Sequence, residues 1–170
     1  MPPPAPVELR EERELAWRSV GDATWRLDAG FALTPVSPTS VPLGGPGTNG
    51  RTDAGYGGFQ LRLAPATDVV VHSALGSGEA PVYGRAVEWA AVSATFSGGR
   101  ATVVMAGADE RSRQDPWFVR TGEYVGLGSA LAWRDPVVVS ADEPFRRCYT
   151  VLVADGDLTA SQIEALLAAP

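Results

Sequence analysis

Apolar residues recur at every second position through much of the chain, in short runs punctuated by glycine and proline. Trp25, Leu27, Ala29, Phe31 and Leu33 share one parity and so line one face of an extended strand. Gly30 inside that run predicts a turn or bulge. Before it, Val7 to Trp17 carries Val7, Leu9 and Trp17 on one parity, which predicts a strand despite its charge. Further strands are predicted over Gly55–Leu63, with Phe59, Leu61 and Leu63 on one face, and over Asp68–His72. In Arg85–Phe96, Val87, Trp89 and Ala91 face one side and Glu88, Ala90 and Val92 the other. Ser97-Gly98-Gly99-Arg100 is a tight hairpin signal with Ala101–Met105 as the return strand. Trp117–Arg120, Tyr124–Leu127, Val137–Ser140 and Phe145–Ala154 complete the set.

One helix is predicted, at the end of the chain. Thr159 and Gln162 have the spacing of a capping box, and Leu158 and Ile163 that of a hydrophobic staple. Ile163, Leu166 and Leu167 then form the apolar stripe of an amphipathic helix. Nine or ten strands with one C-terminal helix predict a mainly β fold, an antiparallel β-sandwich. The organisation is a proline-rich lead-in over 1–6 and a single β-sandwich domain over 7–170. Residues 35–54 form a long loop rich in Pro, Gly, Ser and Thr, a length that often marks function.

Composition then removes several chemistries. All 14 basic residues are arginines, so no Schiff-base lysine and no phosphate-loop lysine exists in this sequence. One His (His72) and one Cys (Cys148) cannot build a multi-histidine or His–Cys metal site, and no cofactor is expected. Cys148, in an apolar strand, is expected to be a buried small side chain. A net charge of −6 argues against generic nucleic-acid binding. No apolar run approaches the ~20 residues of a membrane helix, and a cytoplasmic location is the expectation.

Three places carry candidate chemistry. In Gly50–Arg62, glycines surround Tyr56, with Arg51 and Arg62 as directional donors. That pattern reads either as a polar ligand site at a sheet rim or as a β-bulge whose arginine pairs with a carboxylate. In Asp109–Arg120, a charged stretch leads into Trp117 and Phe118, with Asp115 and Arg120 beside them. Aromatic faces flanked by polar groups are a common means of holding sugars; a solvated loop anchored by a core tryptophan is the alternative. Glu88 reads either as a general base or as the solvent-facing residue of an alternating strand.

The order and spacing of Trp25-Arg26-Leu27-Asp28, Gly50-Arg51, Gly55–Arg62, Asp115–Arg120 and Tyr149–Gly156 resemble the bacterial family known as methane oxygenase PmoA-like, a family of unknown function. The resemblance spans nearly the whole chain after the lead-in. Family members are longer, so this chain corresponds to their carboxy-terminal part. It lacks their amino-terminal His-rich segment, and it has Asp109-Glu110-Arg111 where relatives tend to carry an Asn. The resemblance implies a galactose-mutarotase-like supersandwich, here in part, and carbohydrate-related work. Copper oxygenases need imidazole ligands, which a single His does not supply.

Taken together, the expectation is a site that holds a sugar or sugar acid. Arg51, Tyr56, Arg62, Trp117 and Arg120 would bind the ligand, Trp117 by stacking, with Glu88 or Asp115 as acid/base. The alternatives are a non-catalytic partial domain needing a partner, or forming a homo-oligomer through exposed sheet edges, and an oxidoreductase if the family label is literal.

Overall fold

A computed structural model describes residues 8–51 and 53–169. The lead-in 1–6, and Val7, lie outside the described residues. The strands are β1 (Leu9–Ser19), β2 (Thr24–Pro35), β3 (Val41–Leu43), β4 (Gln60–Arg62), β5 (Thr67–Ser73), β6 (Gly76–Ser77), β7 (Trp89–Phe96) and β8 (Gly99–Gly107). After the short helix α1 (Glu110–Gln114) come β9 (Trp117–Arg120), β10 (Gly126–Ser129), β11 (Val137–Val139) and β12 (Phe145–Asp155), and then α2 (Ala160–Ala168).

Every strand pairing is antiparallel. The large sheet runs β1-β2-β12-β8-β7-β5-β6, a smaller one runs β4-β10-β9, and β11 pairs with β3. The small sheet lies across one face of the large one, which makes the fold sandwich-like. Between them sit Ala90, Val92, Val103, Met105, Tyr149 and Val151 from the large sheet and Trp117, Val119 and Leu127 from the small one. The period-2 alternation decides this split: Trp89, Ala91, Val104, Ala106 and Leu152, on the opposite parity, face the other way and are covered by Ile163 of α2. Helix α2 starts as its sequence predicts. Thr159 accepts from the Gln162 backbone, and the Gln162 side chain accepts from the Thr159 N–H.

Several expectations change. Twelve strands form among the described residues, more than the nine or ten expected, because β3 and β6 are too brief to show a period; β4 keeps only Gln60–Arg62 of the strand expected over Gly55–Leu63. Gly30 makes no bulge: β2 pairs without interruption with β1 and β12, and a side chain there would meet the Cys148 sulfur. The irregularity lies in β5, between Thr67 and Val70, where Asp68 adopts φ 51°. Cys148 is exposed, on the parity opposite the buried Tyr149, with its N–H held by the Ser112 hydroxyl. Asp109–Asp115 is a capped helical turn, in which Asp109 accepts from the Ser112 backbone. The 35–54 loop is pinned by β3 against β11.

Two buried tryptophans make opposite predictions. The Trp117 indole donates to the Val87 carbonyl at 2.8 Å, whereas the Trp89 Nε1 has no partner among the described residues. Trp117→Phe leaves a buried carbonyl unmet, while Trp89→Phe removes an unmet donor. Chemical denaturation should therefore show Trp117→Phe to be the costlier change by about 1–3 kcal/mol. Equal losses would mean that ring volume alone matters at both positions.

Candidate functional site

The outer face of the small sheet follows from the same alternation. On β9, Trp117 and Val119 point into the core, so Phe118 and Arg120 point out. On β4, Leu61 packs inward and Arg62 is exposed outside. Between them β10 offers Gly126 and Gly128, paired to Arg62 and Gln60 on one side and to Arg120 and Phe118 on the other. Side chains at these glycines would collide with Tyr124 and Gln60, so their absence is what lets those groups lie flat across the sheet.

On this floor arginines and aromatic rings interleave. The Arg62 guanidinium lies over the Tyr124 ring at 4.5 Å, and Arg120 reaches the same ring at 5.6 Å and Phe118 at 5.9 Å. Tyr56 meets Phe118 edge-on at 5.9 Å, and its hydroxyl accepts from Arg51 at 2.8 Å. Tyr83 packs on Phe118 from the other side and against Trp133 at 5.0 Å. Arg120 donates to Glu123 at 2.9 Å, and Thr121 donates to Glu79, which places two carboxylates at the rim. Burial pushes the Tyr83 phenol up, against the opposing charge of Arg120, so it stays protonated and donates to the Asp53 carbonyl. Among the described residues, Arg62 has no carboxylate within ion-pair distance and its head is free for a ligand.

Of the sequence-derived binding residues, the structure brings Arg51, Tyr56, Arg62 and Arg120 together on this face. Trp117 is a correction. Its side chain is fully buried in the core and offers no face for stacking; Phe118, one residue on, lies on the outer side of the sheet but is itself buried beneath Tyr56 and Tyr83. Asp115 is also corrected. It is buried and accepts from Arg147 Nε at 2.6 Å and Nη2 at 3.0 Å, and the Tyr149 hydroxyl donates to it at 3.2 Å. These partners occupy both carboxylate oxygens, so Asp115 is a structural anchor. Burial of Tyr149 pushes its phenol well up, which keeps that proton in place.

Glu88 is exposed and lies elsewhere, in a 410 Å³ cleft beside α2 lined also by Arg26, Arg113, Thr150 and Glu164. The arginines there are committed. Arg26 donates to Asp28, Thr150 and the Ala169 carbonyl, and Arg113 to the Gly107 carbonyl. Burial raises the Asp28 carboxyl, but the hydrogen bonds from Arg26, Thr150 and Arg18 outweigh it and hold the group below its ordinary value. Glu88 and Asp115 therefore do not share a site. Tyr83 and Trp133 are not legible in the sequence because they lie in turns, where no periodicity assigns a face; Tyr124, expected to open a strand, lies in the bend before β10.

Among the described residues, no three His, Cys, Asp or Glu side chains form a group that could hold a metal ion. None of the described helices is long and apolar enough to cross a membrane.

Residues 3–168 match the model of a family of unknown function, DUF6807. The chain belongs to this family. No curated protein and no solved structure matches it.

Proposed function

We propose that this chain is a carbohydrate-binding β-sandwich, and that the outer face of the β4-β10-β9 sheet takes a sugar acid. The observation that carries this reading is the interleaving of Arg51, Arg62 and Arg120 with the accessible rings of Tyr56 and Tyr124, which lie over the buried Phe118 and the glycines of β10. Aromatic rings supply the apolar surface against which a pyranose face packs. Guanidinium forks supply paired donors for a carboxylate or for adjacent hydroxyls. Glu79 and Glu123 supply acceptors at the rim for the remaining hydroxyls. The resemblance to PmoA-like proteins points to carbohydrate chemistry as well. A binding role fits the site better than a catalytic one, since neither sequence-derived acid/base residue lies among these groups.

Thermal unfolding in the presence of hexuronates and neutral hexoses tests the reading. A ligand that binds only the folded chain raises the midpoint, by the equivalent of about 2.7 kcal/mol at a hundredfold excess over Kd. A shift with uronates, weaker with hexoses, is expected. Arg62→Ala should abolish that shift while leaving the ligand-free midpoint within a degree or two, because its exposed head stabilises little. Absence of any sugar-dependent shift, or undiminished binding by Arg62→Ala, would overturn the proposal.

A further inference from the structure

Strand β1 is the edge of the large sheet, paired among the described residues only with β2. All of its residues from Arg10 to Ser19 are exposed. On the face that the small sheet covers elsewhere, Trp17 is 73% and Leu15 50% exposed, next to Trp25 at 45%. An edge strand eleven residues long, with two large apolar side chains in water, is a template for another strand.

Its charges say which strand. Residues Arg10, Glu11, Glu12, Arg13, Glu14 and Arg18 mix both signs along one element. Two copies pairing β1 antiparallel about a two-fold axis must oppose residues of equal parity, since side chains alternate between faces. Axes through Glu11, Glu12, Arg13 or Glu14 place a like-charge pair at the centre. Among axes further along, the one through Leu15 keeps the longest overlap, Glu11 to Ser19. It sets Leu15 against Leu15, Arg13 against Trp17 and Glu12 against Arg18, and opposes no like charges. That register covers the two most exposed apolar side chains of β1, adds a guanidinium over an indole and makes ion pairs on the opposite face. A strand serving only to repel neighbours would not carry Leu15 and Trp17 outward.

We propose that the chain forms a two-fold dimer through β1, with the axis at Leu15, joining the two seven-stranded sheets into one. The self-complementary charge order favours a second copy over an unrelated strand.

Sedimentation of the full chain from about 1 to about 100 µM should show a dimer, and Leu15→Arg, which brings two cations together on the axis, should weaken it at least tenfold. Because Leu15 is half exposed, that variant should melt as the wild type does at dilutions where both are monomeric. Register is read in a C148S background: L15C should cross-link to its counterpart on oxidation, since the axis brings the two positions face to face. E11C, which the register sets against Ser19, should not cross-link. A wild-type chain that stays monomeric overturns the proposal and leaves the edge to a different polypeptide. A dimer that survives Leu15→Arg, or E11C cross-linking in place of L15C, overturns it as well.

Discussion

Asp115→Ala should cost about 3–5 kcal/mol of folding stability, the usual consequence of removing one partner of a buried ion pair. Arg147, whose side chain is 11% exposed, would keep its charge among Phe145, Tyr149 and the strand backbone with no counter-ion. The Tyr149 hydroxyl would keep its bond to Ser129 at 3.0 Å but lose its second partner. Urea titration with unchanged slope and a lower midpoint is the expected result. The paired change Asp115→Leu with Arg147→Met should recover most of the loss, because an apolar pair of similar volume needs no counter-charge. If Asp115 were instead an acid/base, its alanine variant would keep its stability and lose only a chemical step. The two outcomes separate cleanly.

Gly55→Ala should be about as damaging, for a different reason. A methyl group at Gly55 would fall within the Trp133 ring, and one at Gly84, where φ is +70°, would come within 2.9 Å of the ring's other edge. Trp133 is thus clamped between two backbone segments, with Tyr83 edge-on at 5.0 Å and 85°. The ring cannot retreat without uncovering Phe118 and Ala130, which pack with it. A loss of at least about 3 kcal/mol is expected, at the upper end for overpacking. The same change should weaken uronate binding, since Tyr83 and the Arg51–Tyr56 segment lean on this cluster. Adding Trp133→Ala removes the clash, so the double variant should lose less than the two single losses summed. Strict additivity would mean that Gly55 is constrained by something other than the ring.

The two positions also show how far the sequence can be read. The β-sandwich, the Ser97–Arg100 hairpin and the Thr159 cap follow from local rules, and the structure has all three. Alternation at 117–120 already separates Trp117 from Phe118 and Arg120, so the expectation of Trp117 at the site conflicts with the strand's own period. The Asp115–Arg147 pair joins residues with β9, β10 and β11 between them in the chain, and no spacing rule foretells it. The clamp on Trp133 is likewise hidden, because it depends on loops from three regions closing round one ring. Glycines at 55 and 84 hint only that something comes close.

The position of β12 bears on how the chain comes to be folded. It lies between β2 and β8 in the large sheet, although β2 is near the start of the described chain and β12 near its end. The β1–β2 hairpin therefore has no seat in the sheet until Phe145–Asp155 has emerged from the ribosome. Through most of synthesis it waits with Leu27 and Phe31 unburied. Pairing across so long a separation is slow, and the waiting hairpin is open to mispairing in the interval. Seating β12 between β2 and β8 is what completes the large sheet, and protection from aggregation would matter most before it.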